Sequence, residues 1–136
     1  MKKTLLGLLA LSVLCILLVL IINSIADAMT ATVTGTNVSM AYDEPTLNSN
    51  DSTLRDLDHT TVYYDLGAGF VKSVEVPATA PAGGGAITVD VIVPVSAGQE
   101  VDVKLKATAT DKSKNESNDS PLTTVRIDRL APAPPK

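Results

Sequence analysis

The sequence predicts an all-β fold, a two-sheet antiparallel sandwich of about seven strands, and three observations carry that expectation. Beyond Ala28, apolar residues recur with period two in several short segments, the pattern of half-buried strands. Clusters of Gly, Pro, Asn, Asp and Ser separate those segments. No helix-length stretch lies between them, which excludes a parallel sheet built from strand–helix–strand units.

Before the predicted strands, an apolar N-terminal helix is expected. Met1, Lys2 and Lys3 make a short basic start, and Thr4 to Ile22 carries no charge. Asn23 to Ala28 is polar and ends in Ala26-Asp27-Ala28, whose small residues suit cleavage by a signal peptidase after Ala28. The apolar run is also as long as the roughly 17–25 residues that span a hydrocarbon core. Residues 1–28 therefore read as a signal peptide or as an uncleaved signal anchor, with Lys2 and Lys3 on the cytoplasmic side. Either way the remainder is expected outside the cytoplasm, touching the membrane only through residues 4–22 if cleavage does not occur. Cys15, the single cysteine, lies within the run and reads as apolar filler, because Val13 and Leu14 stand where a lipoprotein signal has small residues. The exported part then has no cysteine for a disulfide or thiolate site. It must fold by packing alone, and about 100 residues suffice to bury roughly 60–70% of the unfolded surface.

The strands follow in order. A short one covers Ala31 to Val33. Asn37 to Tyr42 alternates, with Val38, Met40 and Tyr42 on one face. Thr61 to Tyr64 is β-branched and aromatic. Val71 to Val76 offers a Val74/Val76 face, and Ile87 to Val93 puts Ile87, Val89, Val91 and Val93 inward. Val101 to Ala107 sets Val101, Val103, Leu105 and Ala107 against Asp102, Lys104 and Lys106. Thr123 to Asp128 places Val125 and Ile127 inward. Gly83-Gly84-Gly85 precedes a strand and lacks the Lys-Ser/Thr of a phosphate loop, so it is expected to be a flexible connection. Residues 131–136 form a Pro-rich, extended tail after a domain spanning 29–130.

From about Val38 to Asp128 the chain resembles a bacterial-type fibronectin type III domain. Val38-Ser39-Met40-Ala41-Tyr42-Asp43-Glu44-Pro45 is similar to that family's second strand, with Tyr42 where a core Trp usually stands. Asp56 to Tyr64 resembles the third strand, which often ends in paired Tyr. Ala97 to Val103, followed by Ala107 to Ser117, is similar to the sixth strand and its loop. Two departures stand out: the Trp is absent, and Val101 replaces the Tyr expected early in the sixth strand. The resemblance implies an immunoglobulin-like sandwich with Tyr42 in its core. It does not imply one function, since such domains serve as spacers, adhesive modules and enzyme accessories.

Charge narrows the partners. The net charge is −4, and without residues 1–28 there remain 9 basic and 14 acidic residues, a net of −5. Nucleic acid and anionic lipid demand a basic face and are not expected as partners. No enzyme chemistry is expected and no cofactor or metal. His59, the only histidine, lies near Asp56 and Asp58, but no second His and no Cys complete a transition-metal site. Asp43/Glu44, Asp51/Asp56/Asp58 and the loop Asp111 to Asp119 match no calcium-loop spacing. The expected function is an exported, non-catalytic binding or spacer module at the cell surface or in the periplasm, monomeric, whose partner is a protein or a glycan. Candidate contacts are Lys112 and Asn115 on the polar loop and whichever of Tyr63 and Tyr64 faces outward, since strand neighbours point to opposite faces. The alternatives are a structural subunit that self-associates through strand edges, or a small hydrolase using His59.

Overall fold

The computed structural model describes residues 29–136. The expected signal or anchor segment, its apolar helix and Cys15 lie outside the described residues. Seven strands follow in order: β1 (Thr30–Thr34), β2 (Asn37–Asp43), β3 (Leu57–Asp65), β4 (Val71–Pro77), β5 (Ala86–Ile92), β6 (Glu100–Asp111) and β7 (Thr123–Asp128). They make two antiparallel sheets, one ordered β1-β2-β5 and the other β4-β3-β6-β7. Each of the seven segments expected as strands overlaps one, although Val93 falls just after β5. The described part is all-β, as the patterning predicts.

The two sheets share one core. Val38, Met40 and Val91 enter it from the three-stranded sheet, and Val62, Val103, Leu105, Ala107 and Ile127 from the four-stranded one. Each is an alternate residue of its strand, so burial follows from register alone. Fully burying such a side chain stabilises by about 1.5–3 kcal/mol relative to exposure. Val93 and Val95 add to the core from the connection after β5.

Strands β3 and β6 are longer than their apolar runs. The pairing of Thr60 with Ala109 and of Leu57 with Asp111 extends both beyond the Val/Leu segments. Backbone pairing continues there because loop atoms cover the added residues, as described below.

Tyr42 does face the core, but it is half-buried at one end of it rather than fully enclosed. Met40, at 0% exposure, occupies the interior of β2 instead. The Tyr42 hydroxyl shares a 2.8 Å hydrogen bond with Thr60 Oγ1, and burial pushes its pKa above the ordinary value.

The glycine run is not the flexible connection expected from composition. Gly83 has φ +65°, and a Cβ there would stand 1.9 Å from the Pro45 carbonyl oxygen. A Cβ on Gly85 would stand 2.0 Å from Thr79 Oγ1. Gly83 permits close approach of the Pro45 backbone, so the segment is packed against the start of the β2–β3 connection, and Gly85 makes room for the Thr79 side chain.

Antiparallel pairing fixes what lies at each end of the strands. Thr30 pairs with Ala41 and Glu100 with Asp128. Met29 and the connections 44–56, 78–85 and 112–122 therefore gather at one end. The turn at Gly35 and Thr36, the connections 66–70 and 93–99, and the start of the tail gather at the other. A seven-residue strand separates these ends by roughly 20 Å.

Candidate functional site

The Met29 end carries a cleft of about 700 Å³ between the β2–β3 and β6–β7 connections. Its buried and half-buried lining is largely apolar, from Tyr42, Leu54, Leu57 and Ala107. Its exposed lining is mostly polar, from residues such as Ser49, Asn50, Asn118 and Asp119, with Pro45, Leu47 and Pro121 among them.

Both walls are held by named bonds. In the β2–β3 connection, Leu47 bridges Thr53, and Asn48 N–H donates to the Ser52 carbonyl at 2.8 Å, making a tight protruding turn. Asp51 sits at its tip with φ +62°. Leu54, 5% exposed, tucks beneath it. At the start of this connection Glu44 is 3% exposed. Its carboxylate accepts from Thr79 N–H at 2.8 Å, from Gly85 N–H at 3.1 Å and from the Thr79 hydroxyl. Buried charge is tolerable only when hydrogen-bonded in this way. The backbone N–H of the glycine run, which a phosphate loop would offer to a ligand, thus meets the chain's own carboxylate.

The β6–β7 connection forms the second wall by replacing β7 along the upper part of β6, since β7 pairs only with residues 100–105. Ala109 N–H donates to Ser117 Oγ and Ala107 N–H to Ser120 Oγ, both at 2.9 Å. In return, Ser117 N–H and Ser120 N–H donate to the Ala109 and Ala107 carbonyls. Serine side chains thus satisfy strand groups that would otherwise be an open edge. Glu116 accepts from Thr108 Oγ1 at 2.7 Å and from the Tyr63 hydroxyl at 3.1 Å. That cover explains why Thr108 is only 5% exposed on an outward position.

The expected contact residues separate. Tyr64 packs against the core, and Tyr63 faces the outer surface of the four-stranded sheet. Lys106 Nζ stands 5.2 Å from the Tyr63 ring centroid and 4.4 Å from that of Phe70, and pairs with Asp119 at 2.8 Å. Tyr63 therefore belongs to a packed outer-face cluster. Lys112 is exposed. Asn115 is exposed too, but its amide donates to Asp111 Oδ2 at 2.8 Å and its N–H to Asp111 Oδ1 at 2.9 Å. These bonds hold the Asp111 carboxyl below its ordinary pKa.

His59 lies outside the cleft, on β3. Its Nδ1 is 3.1 Å from Asp58 Oδ2 and its Nε2 is 3.6 Å from Glu75 Oε1. Asp58 also receives Lys114 Nζ at 2.8 Å, and Lys72 bonds Glu75. Hydrogen bonds from Lys114 and then His59 lower the Asp58 pKa, and the Lys72 bond lowers that of Glu75. This is a row of paired surface charges in which both imidazole nitrogens face carboxylates. Asp56, named with His59 from sequence, instead offers its carbonyl to Lys112 N–H at 2.9 Å. Among the described residues no group of three or more His, Cys, Asp and Glu side chains converges to hold a metal ion.

The cleft's ionisable lining consists of Asp43, Asp111, Glu116 and Asp119, with no Lys, Arg or His. Its field favours a neutral or cationic ligand and opposes an anion. Sequence reading selected the β6–β7 loop as a surface but missed the opposing wall at residues 45–54. No chemically distinctive residue marks that wall, and only its turn composition could have drawn notice. Comparisons with protein-family models, with curated proteins and with solved structures found no match to the chain.

Proposed function

We propose that the chain is an exported, non-catalytic binding or spacer module of the fibronectin type III kind, a β-sandwich acting at the cell surface or in the periplasm. The observation that carries this reading is the loop-walled cleft at the Met29 end of the sandwich, with a mostly polar rim over a largely apolar floor. Support for the family comes from β4, which pairs with β3 in the four-stranded sheet. In the antibody constant-type arrangement the fourth strand joins the sheet of the first, second and fifth.

The cleft's acidic and neutral polar rim over an apolar floor suits a glycan or a neutral to basic protein segment. Capture from the native envelope tests this. The full chain should recover a specific partner, and Asn118→Ala, which alters an exposed side chain of the cleft rim, should weaken capture several-fold while melting is unchanged. Equal capture by the parent and by variants altered across both cleft walls would refute the binding role and leave the spacer role. Turnover of a hydrolysable substrate, abolished by His59→Ala, would refute the non-catalytic reading.

A further inference from the structure

The sequence contains four Asn-x-Ser sequons, none with Pro between: Asn37-Val38-Ser39, Asn50-Asp51-Ser52, Asn115-Glu116-Ser117 and Asn118-Asp119-Ser120. Such a triplet in an exported chain is an acceptor for N-linked glycosylation only where the amide nitrogen is free and the serine can be read. The fold discriminates sharply among the four.

Asn37 lies in β2, paired to β1 on one side and β5 on the other, and its Oδ1 is buried. Asn115 uses its Nδ2 on Asp111. In the Asn118 sequon the amide is exposed, but Ser120 is fixed to the sheet edge, its Oγ accepting from Ala107 N–H and its N–H donating to the Ala107 carbonyl. Enzyme recognition of that serine would require unpairing the edge of β6.

In the Asn50 sequon the serine is bonded only within its own turn, where its hydroxyl also accepts from Asn48 Nδ2 at 3.0 Å and its carbonyl from Asn48 N–H at 2.8 Å, and no bond ties it to a strand. Asn50, Asp51 and Ser52 are all exposed, at the tip of the protruding turn. The Ser52 hydroxyl donates to Asn50 Oδ1 at 2.6 Å and Ser52 N–H donates to the same oxygen at 3.2 Å. Asn50 Nδ2 makes no hydrogen bond among the described residues. Two donors aimed at Oδ1 stabilise negative charge on that oxygen, which acidifies the Nδ2 protons. The turn thus presents an amide whose nitrogen is unencumbered and whose carbonyl is already polarised by the sequon's own serine.

We propose that Asn50 is the acceptor of an N-linked glycan. The donor class is a lipid-linked oligosaccharide pyrophosphate. Asn50 Nδ2 attacks the anomeric carbon, an N–C bond forms, and the C–O bond to pyrophosphate breaks. The lipid pyrophosphate leaves with the electron pair, and one Nδ2 proton passes to the transferase's base. No oxidant or reductant is involved. The glycan would then stand at the rim of the cleft, which Asn50 lines. The proposal rests on the export reading, since the donor and transferase meet the chain outside the cytoplasm.

The test is glycopeptide mapping of the full chain recovered separately from the envelope and cytoplasmic fractions of its native cells. A glycan mass increment localised to Asn50 by electron-transfer fragmentation is expected. It should vanish in Asn50→Gln and Ser52→Ala, and persist in Ser52→Thr and Asn118→Gln. Thermal melting checks that each variant is folded. An envelope-recovered chain with unmodified Asn50, or with the increment on Asn115 or Asn118 instead, overturns the assignment and leaves export standing. A chain found only in the cytoplasm overturns export, and this proposal with it.

Discussion

Glu44→Gln should cost far more stability than any other isosteric change near the cleft. Glu44 is 3% exposed and accepts three hydrogen bonds through its two oxygens. Glutamine fills the same volume but keeps only one acceptor oxygen. With that oxygen in the Oε2 position, the Thr79 hydroxyl and Gly85 N–H stay bonded, and the new NH₂ faces the Thr79 N–H. With it in the Oε1 position, Thr79 N–H stays bonded, the Thr79 hydroxyl turns to accept from the new NH₂, and Gly85 N–H loses its acceptor. Either orientation forfeits one bond to a charged acceptor, about 1.5–3 kcal/mol, and leaves a buried N–H unpaired. The expected total is about 2–4 kcal/mol, and for a domain of about 100 residues that lowers Tm by roughly 10–20 °C. Urea unfolding at pH 7 measures it, with an unchanged slope as the sign that the same surface unfolds. A cycle with Thr79→Ala should return a coupling of about 0.5–3 kcal/mol, since Thr79 supplies two of the three donors. A Tm within about 3 °C of the parent for Glu44→Gln would refute the clamp and return the 78–85 connection to the status of a loose linker.

Three further outcomes follow from the same structure. Tyr42→Phe should cost about 0.5–1.5 kcal/mol by urea unfolding, because it leaves the Thr60 hydroxyl, 2% exposed, without its partner. Tyr42→Ala should cost about 2–4 kcal/mol, somewhat below a fully enclosed aromatic, and a cost under about 1 kcal/mol would remove Tyr42 from the core. Stability should fall on acidification: Asp58, Asp65, Glu75, Glu100 and Asp111 all have lowered folded pKa values, so their contribution is complete above the ordinary values of 3.8 and 4.5 and is lost as pH drops through the folded values below them. A flat melting temperature from pH 6 to pH 2.5 would contradict those pairings. Asn115→Ala should raise hydrogen exchange across residues 112–120 by freeing Asp111, whereas Lys112→Ala should leave exchange unchanged, and equal protection in both would show that the Asp111 bonds do not order the loop.

Much of the fold was legible because strand burial depends on alternation. Val38/Met40, Val103/Leu105 and Val125/Ile127 are each two residues apart, and register carries them to one face. What sequence could not reveal involves groups whose burial depends on distant loops. Thr61, Thr108 and Thr110 are buried on positions that alternation assigns to solvent. For Thr108 the cause is the 112–122 loop, which lies across the sheet face and brings Glu116 to its hydroxyl and to Tyr63, 53 residues away. The burial of Glu44 has no mark in the sequence, since a carboxylate in a turn-rich stretch gives no hint of Thr79 and Gly85, 35 and 41 residues on. The glycine run was read as flexible for the same reason: composition reports that glycine is permitted, and only the approach of Pro45 shows that it is required. The candidate cleft was half visible, through its β6–β7 wall, because the opposing turn at residues 48–52 carries ordinary polar residues.

The central claim, that this domain works outside the cytoplasm, is tested most directly by fractionating native cells and sequencing the N-terminus of the recovered chain. The account predicts recovery from the periplasm, cell surface, membrane or surrounding medium. The chain should begin at Met29 if residues 1–28 are a cleaved signal, or be intact and detergent-extracted, with the β-domain open to external protease, if they are an anchor. An intact chain, soluble in the cytoplasm and shielded from external protease, would contradict it.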